Sequence, residues 1–321
     1  MKNSLLAFCL AAAVSLPAGV ELKPSATQIE ILVDGQPFST FFFGPETHKP
    51  YLHPLRSASG KIVSRGYPMA DVAGEPRDHP HHRGLWFTHG EVNGLDFWSP
   101  ESGKGPNKGR VTLNRVVSVK GGDQSGSMTA AFDWKGPDGK VLLTETRTTT
   151  IHSDPKLRIV DIDMTLKAGP VKVHFGDTKE GTFAIRLAAP LQEPTGREKA
   201  EQVKPTGKMT NAEGMEGEKK VWGRRSPWVD YSGTLEGEKL GVAIFDHPAN
   251  PKHPTYWHAR SYGLFAANIF GERDFYNDKS RDGSVTLAPG ESLRFRYRVV
   301  IHPGDTGEAG IADLYQKYAI H

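Results

Sequence analysis

Cysteine is all but missing from this sequence: Cys9 is the only one in 321 residues, and it lies inside the apolar stretch Leu5–Leu16. Lys2 precedes that stretch and Pro17-Ala18 follows it, the order expected of a secretory signal with a small residue at the cleavage point. Bulky Phe8 directly before Cys9 makes it a poor lipid-attachment site. Removal of residues 1–18 leaves a mature chain without cysteine. That excludes thiol nucleophiles, disulfides, iron–sulfur clusters and thiolate zinc sites together. No later run approaches the roughly 20 apolar residues of a membrane-spanning helix. A dominant charge is lacking too: 40 basic and 37 acidic side chains leave a net +3, too balanced for the basic face of a nucleic-acid binder. The expected protein is soluble and exported, to the periplasm or outside the cell. It would have no nucleic-acid partner and no membrane insertion after signal removal; its oligomeric state stays open.

Several chemical signatures are also absent. The sequence has no Gly-x-Ser-x-Gly elbow, no P-loop, no dinucleotide-type glycine fingerprint and no His-Glu-x-x-His. Serine-esterase, nucleotide-hydrolysis, Rossmann-dehydrogenase and zincin readings have nothing to rest on. Helical periodicity is scarce, and only Ile311, Leu314, Tyr315 and Tyr318 recur at i, i+3, i+4 and i+7.

What is present is alternation with a period of two. Val160, Ile162, Met164 and Leu166 fall on one face, with Asp161, Asp163 and Thr165 on the other. Leu293, Phe295, Tyr297, Val299 and Ile301 alternate in the same way with Arg294, Arg296 and Arg298. Asp34-Gly35 and Asp138-Gly139 separate such runs as hairpin turns. The pattern predicts an all-β chain over residues 19–321: a large antiparallel two-sheet β-sandwich closed by a short C-terminal helix. Residues 192–220 are polar, rich in Gly, Glu and Lys, and read as a long insertion or flap between strands.

Histidine is the residue type that stands out. Four of the 13 fall within Asp78-His79-Pro80-His81-His82-Arg83-Gly84-Leu85-Trp86-Phe87-Thr88-His89-Gly90. Five (His53, His79, His247, His253 and His302) directly precede proline, which pushes the backbone to extended conformations and away from central sheet pairing. They should sit at strand ends and loops, where functional side chains gather. A second cluster runs from Asp246-His247-Pro248 through His253-Pro254 to Trp257-His258, and a third is Lys179-Glu180-Gly181 with Arg186 beyond it.

Three readings compete. In the first, Glu180 and an imidazole (His81, His82, His247 or His258) exchange protons with a substrate. In the second, His79 and His81 ligate a divalent metal with a third histidine such as His247; otherwise no cofactor is implied. In the third, His-Pro and Asp-His pairs only fix loops through hydrogen bonds. Tryptophans beside these clusters (Trp86, Trp98, Trp222, Trp228, Trp257) suit the mixed faces of a sugar, with core packing as the plain alternative. Arg83, Arg224, Arg225, Asp230 and Asn268 could contact hydroxyls or a carboxylate.

The run from Asp78 to Trp98 resembles the signature of a bacterial family labelled the PmoA family (methane oxygenase PmoA). The resemblance continues through Lys179-Glu180-Gly181, Trp222–Tyr231, Phe245–Pro248, Trp257-His258, Tyr262–Asn268 and Arg296–His302. It implies a family of exported proteins without an assigned function. The membrane subunit of methane monooxygenase is polytopic and this chain has one apolar segment, so no oxygenase chemistry is implied. Architecturally the pattern is similar to galactose-mutarotase-like supersandwiches, which bind sugar on a sheet face through His, Arg and a carboxylate.

Together these readings point to a carbohydrate or small polar substrate handled by acid/base side chains, in epimerase, lyase or hydrolase chemistry. Glu180 is the expected base, with His81, His82 and His258 as its catalytic partners. Expected substrate contacts are His79, Arg83, Trp86, Arg225, Trp228, Asp246, His247, Trp257 and Asn268. Asp78, Asp230 and Asp246 are candidates for a second carboxylate. A binding module without turnover and a His-ligated metal enzyme (His79, His81, His247) are the alternatives.

Overall fold

The computed structural model describes residues 19–103, 105–196 and 203–320. The signal-like segment 1–18, with Cys9, and residues 197–202 of the polar insertion lie outside them.

Alternating patterns become long paired strands. One eight-stranded antiparallel sheet runs in the order Lys208–Asn211, Trp228–Leu235, Glu238–Asp246, Ser292–Pro303, Arg158–Ala168, Val141–His152, Ser125–Lys135, Arg110–Lys120. The other eight-stranded sheet runs Val20–Pro24, Gln28–Val33, Gln36–Phe42, Tyr51–Leu52, Leu85–His89, Gly181–Arg186, Leu264–Asn268, Tyr256–Ala259. We call them the outer sheet and the site sheet. A two-stranded ribbon pairs Val173–Phe175 with Val285–Leu287. The expected all-β sandwich is what forms.

Rings from both sheets close the core between them. Phe183 of the site sheet stacks on Tyr297 of the outer sheet with centroids 4.6 Å apart. Phe87 meets Trp134 and Phe295. Each such buried ring removes apolar surface worth about 1.5–3 kcal/mol from water. The predicted C-terminal helix spans Ile311–Ala319 and lays Ile311, Tyr315 and Tyr318 against Trp228, Ala243, Phe245 and Val300, on the outer sheet's far face. Among the described residues no helix is long and apolar enough to cross a membrane.

The described part of the polar insertion carries regular structure. Its strand Lys208–Asn211 pairs with Trp228–Leu235 at the outer sheet's edge, and Glu218–Val221 forms a single helical turn. Backbone pairing supplies what the polar sequence does not advertise.

The strand Leu85–His89 is entered through a glycine that the packing demands. Gly84 has φ 55°, and a Cβ there would stand 2.0 Å from the Leu52 carbonyl oxygen. The left-handed backbone alone costs an ordinary residue about 1–2 kcal/mol, and the overlap adds to it. Gly84→Ala is therefore expected to destabilise the fold by more than about 2 kcal/mol, measured by urea unfolding; a loss below about 0.5 kcal/mol would contradict this packing.

Candidate functional site

Period-two geometry gives the site sheet two different faces. Phe87, Phe183, Trp257, Phe265 and Ala267 point into the sandwich core. Their neighbours Trp86, Ala184, Ala266 and His258 point the other way, and their register places them in one row across four adjacent strands. Trp86, Ala184 and Ala266 form a separate apolar cluster with Trp98, Tyr51 and Leu264. Two alanines at the centre of the row leave room for the histidine loop to fold over the sheet.

That loop builds a stack of rings. His82 stacks on Trp86 (5.4 Å), His79 on His82 (4.8 Å, planes 5° apart), and Tyr262 on His79 (5.5 Å). His81 stands edge-on to His82, and its Nδ1 meets the Ser102 hydroxyl. Over these rings opens a cavity of about 540 Å³, lined by His79, His81, His82, Trp98, His258 and Tyr262 together with Asp96, Lys179, Glu180 and Arg260, among others.

A buried ionic network anchors the stack. Arg65 and Arg186, both with fully buried side chains, converge on the Asp78 carboxylate. Burial would raise the Asp78 pKa, but the His79 hydrogen bond and the two guanidinium charges outweigh it and hold the carboxyl well below its usual range. Arg65 also donates to the Asp78 and His79 carbonyls. Arg186 donates to His82 Nδ1 at 3.0 Å, which leaves the His82 proton on Nε2.

His258 is held in the opposite tautomer. Its Nδ1 donates to the Lys179 carbonyl at 2.9 Å, so its Nε2 carries a lone pair. Burial, then the charges of Arg260 and Lys179, push its pKa down to about 3. Burial and Lys49 push His81 down to about 3 as well. His82 lies well below its ordinary value through burial, His81 and Arg186. At neutral pH the three imidazoles are therefore uncharged, and His82 and His258 have fixed donor and acceptor directions.

The remaining walls are held with equal care. Asp96 accepts from the Trp98 and Ser99 amides, the Ser99 hydroxyl and Lys108 Nζ at 2.6 Å. Lys49, fully buried, donates to the Trp98 carbonyl and to Glu101, tying the loop that carries Trp98, Ser99 and Ser102. Glu180 stands half-exposed at the mouth with Lys179 Nζ at 3.3 Å. Its backbone packs on Gly90, whose amide donates to the Glu180 carbonyl at 2.7 Å; a Cβ on Gly90 would come within 2.8 Å of Glu180 Cβ.

The structure thus brings Glu180, His79, His81, His82 and His258 to one cavity and leaves the other expected contacts outside its lining. Trp86 supports His82 from below. Trp257 is adjacent to His258 in sequence but faces the core, with Nε1 donating to the Ser226 carbonyl. Trp228 lies under the C-terminal helix. Arg83 turns onto Glu101 and the Tyr51 ring. Arg225 clamps the Lys252, His253 and Pro254 carbonyls. Asn268 Nδ2 donates to the Thr178 carbonyl and so fixes the segment leading to Glu180.

Asp246 is buried and spent on Asn250, His253 and the Thr255 amide, the loop-fixing role weighed for Asp-His pairs. Asp230 is buried against His302 and Thr306. The second carboxylate of the cavity is Asp96. The metal triad His79, His81 and His247 does not assemble, because His247 lines a different cavity on the outer sheet and packs edge-on against Tyr318. Among the described residues no cluster of three or more His, Cys, Asp or Glu is arranged to hold a metal ion.

Arg260, Tyr262 and Asp96 were not singled out from the sequence as site residues. Arg260 and Tyr262 follow His258 within four residues, and Asp96 lies inside the run from Asp78 to Trp98, so proximity to both clusters was the available signal.

The buried imidazoles imply an acid-sensitive fold. Unfolded histidine binds a proton below pH about 6.5, whereas folded His258 and His81 resist it until about pH 3. Their contribution is fully present above the unfolded pKa and is lost as pH falls towards the folded one. Urea unfolding should show stability dropping between pH 6.5 and 4.5. His258→Asn should flatten that slope by up to about 1.4 kcal/mol per pH unit, and an unchanged slope would contradict a neutral buried His258.

In architecture the chain is similar to the α-galactosidase of Lactobacillus brevis, with 9% identity and TM-score 0.42 over 88% of this chain and 39% of that one. It is likewise similar to the GH36 α-galactosidase AgaA of Geobacillus stearothermophilus, with 11% identity and TM-score 0.41 over 89% and 40%. The chain spans about two fifths of the length of these galactosidases. A galactose mutarotase related enzyme from Lactobacillus acidophilus matches with 9% identity and TM-score 0.32 over 89% of this chain and 98% of that one. No curated protein matches the chain. The family match is not to the PmoA label that the histidine motif resembles. The model of DUF6807, a family of unknown function, matches residues 28–316, and the chain belongs to that family.

Proposed function

We propose that the cavity holds a sugar or sugar derivative and that Glu180 exchanges a proton with it. The observation that carries this reading is the convergence of Glu180, His82 and His258, from three separate segments, on one cavity walled by ring faces. A sugar offers C–H faces and hydroxyl edges. The Tyr262 and Trp98 rings suit the former, and the His82 Nε2 donor and His258 Nε2 acceptor suit the latter.

Neutral imidazoles with depressed pKa values orient hydroxyls and are poor acids at neutral pH. Proton transfer then falls to Glu180 at the mouth. It would take a proton from a hydroxyl, or from a carbon beside a carbonyl, a step common to epimerase and lyase chemistry. A two-carboxylate hydrolase is less favoured, because Asp96 is saturated by Lys108, Ser99 and the Trp98 amide. The signal-like residues 1–18 support a further proposal, that this takes place in the periplasm or outside the cell.

Proton NMR of the protein mixed with free sugars, keto-sugars, glycosides and uronic acids tests the reading. One class should be transformed, and Glu180→Gln should slow turnover at least about 100-fold while binding persists. Full turnover by Glu180→Gln would remove Glu180 as the base. Saturable binding with nothing transformed would replace the enzyme by a sugar-binding module.

A further inference from the structure

Five lysine or arginine residues are buried among the described residues: Lys49, Arg65, Arg147, Arg158 and Arg186. Four have a carboxylate in ion-pair contact. Lys49 has Glu101, Arg65 and Arg186 share Asp78, and Arg147 has Glu145. Arg158 is the exception. It is 5% exposed, and Nη1 donates to the Asp154 and Leu157 carbonyls, yet among the described residues no carboxylate forms an ion pair with it. Asp34 and Asp154 act on it only through their more distant charges. A buried cation without a counter-ion is costly, and a folded chain ordinarily pairs it.

Arg158 opens onto a cleft of about 390 Å³ formed by Gln36, Pro37, Arg56, the turn Ser57–Gly60 and Arg158 itself. Arg56, half-buried, is a second guanidinium on this cleft, and among the described residues it has no ion pair and no carboxylate belongs to the lining. The turn is braced from within: the Ser57 amide donates to the Lys61 carbonyl, and Ser57 Oγ accepts from the Lys61 amide. The cleft shares no residue with the candidate sugar cavity.

We propose that this cleft is a second binding site and takes an oxyanion between Arg56 and Arg158. The chemistry is that of a tetrahedral phosphate or sulfate group. Planar guanidinium forks match its oxygens with paired, charge-assisted hydrogen bonds, and the exposed Gln36 amide supplies a neutral donor; the Ser57 and Ser59 hydroxyls are engaged with each other and with Glu238 and shape the turn instead. Such a ligand neutralises the unpaired Arg158. It enters either as the free ion or as an ester on a larger molecule.

Isothermal titration and thermal melts of the full chain decide this, using inorganic phosphate and sulfate against sodium chloride at matched ionic strength. The Tm should rise saturably with the oxyanions beyond the chloride control. Arg56→Gln, which leaves the buried Arg158 in place, should weaken phosphate at least about tenfold, and Arg158→Met should abolish the response. Glu180→Gln should leave it unchanged. Equal stabilisation by chloride, or wild-type phosphate affinity in Arg56→Gln, overturns the site. Should Arg158→Met fail to fold, the Arg56→Gln titration decides alone. A sugar phosphate or sulfate binding more tightly than the free ion identifies an ester as the ligand; equal affinity identifies the ion.

Discussion

The Asp78 carboxylate between Arg65 and Arg186 is the interaction on which the candidate site depends. Arg186 is anchored in an interior strand of the site sheet, and Arg65 and Asp78 come from the loops laid over it. Two guanidiniums out of water need that negative charge, so the loop bearing Asp78 cannot lift without leaving them uncompensated. The same Arg186 fixes the His82 tautomer. One buried ionic cluster thereby sets both the position of the histidine loop and the direction in which its central imidazole donates.

Burial does the rest of the electrostatic work. Burial excludes water from His81, His82 and His258 and keeps them neutral, which turns potential cations into hydrogen-bonding groups. Glu180, at the mouth and beside Lys179, remains the solvent-reachable carboxylate of the cavity. The site is a division of labour between dry, oriented imidazoles and a wet carboxylate.

How much of this was legible depended on which faces of each strand are solvated. Arg158–Ala168 and Ser292–Pro303 alternate cleanly, because one face meets the core and the other carries Asp161, Asp163, Arg296 and Arg298. Gly181–Arg186 and Leu264–Asn268 are buried on both faces, core on one and histidine loop on the other, so their composition carries no period that reveals orientation. Trp257 and His258 show the consequence: adjacent residues of one cluster end on opposite sides of a sheet. Asp246, Arg225 and Trp228 looked equally functional in sequence, yet their partners are backbone groups, loop side chains and a helix, none of which composition displays.

The sequence alone determined the all-β architecture, the terminal helix, the lack of cysteine in residues 19–321 and the two segments, His79–His82 and Lys179-Glu180, from which a site could be built. Alternation and local turn chemistry are properties of neighbouring residues and survive reading in one dimension. Tertiary structure alone decided which histidines meet Glu180, that His247 does not, that Asp96 is the second carboxylate, and which way each imidazole points. Those outcomes depend on strand register, and on charges and backbone carbonyls that approach from segments up to about a hundred residues away. No local pattern encodes either.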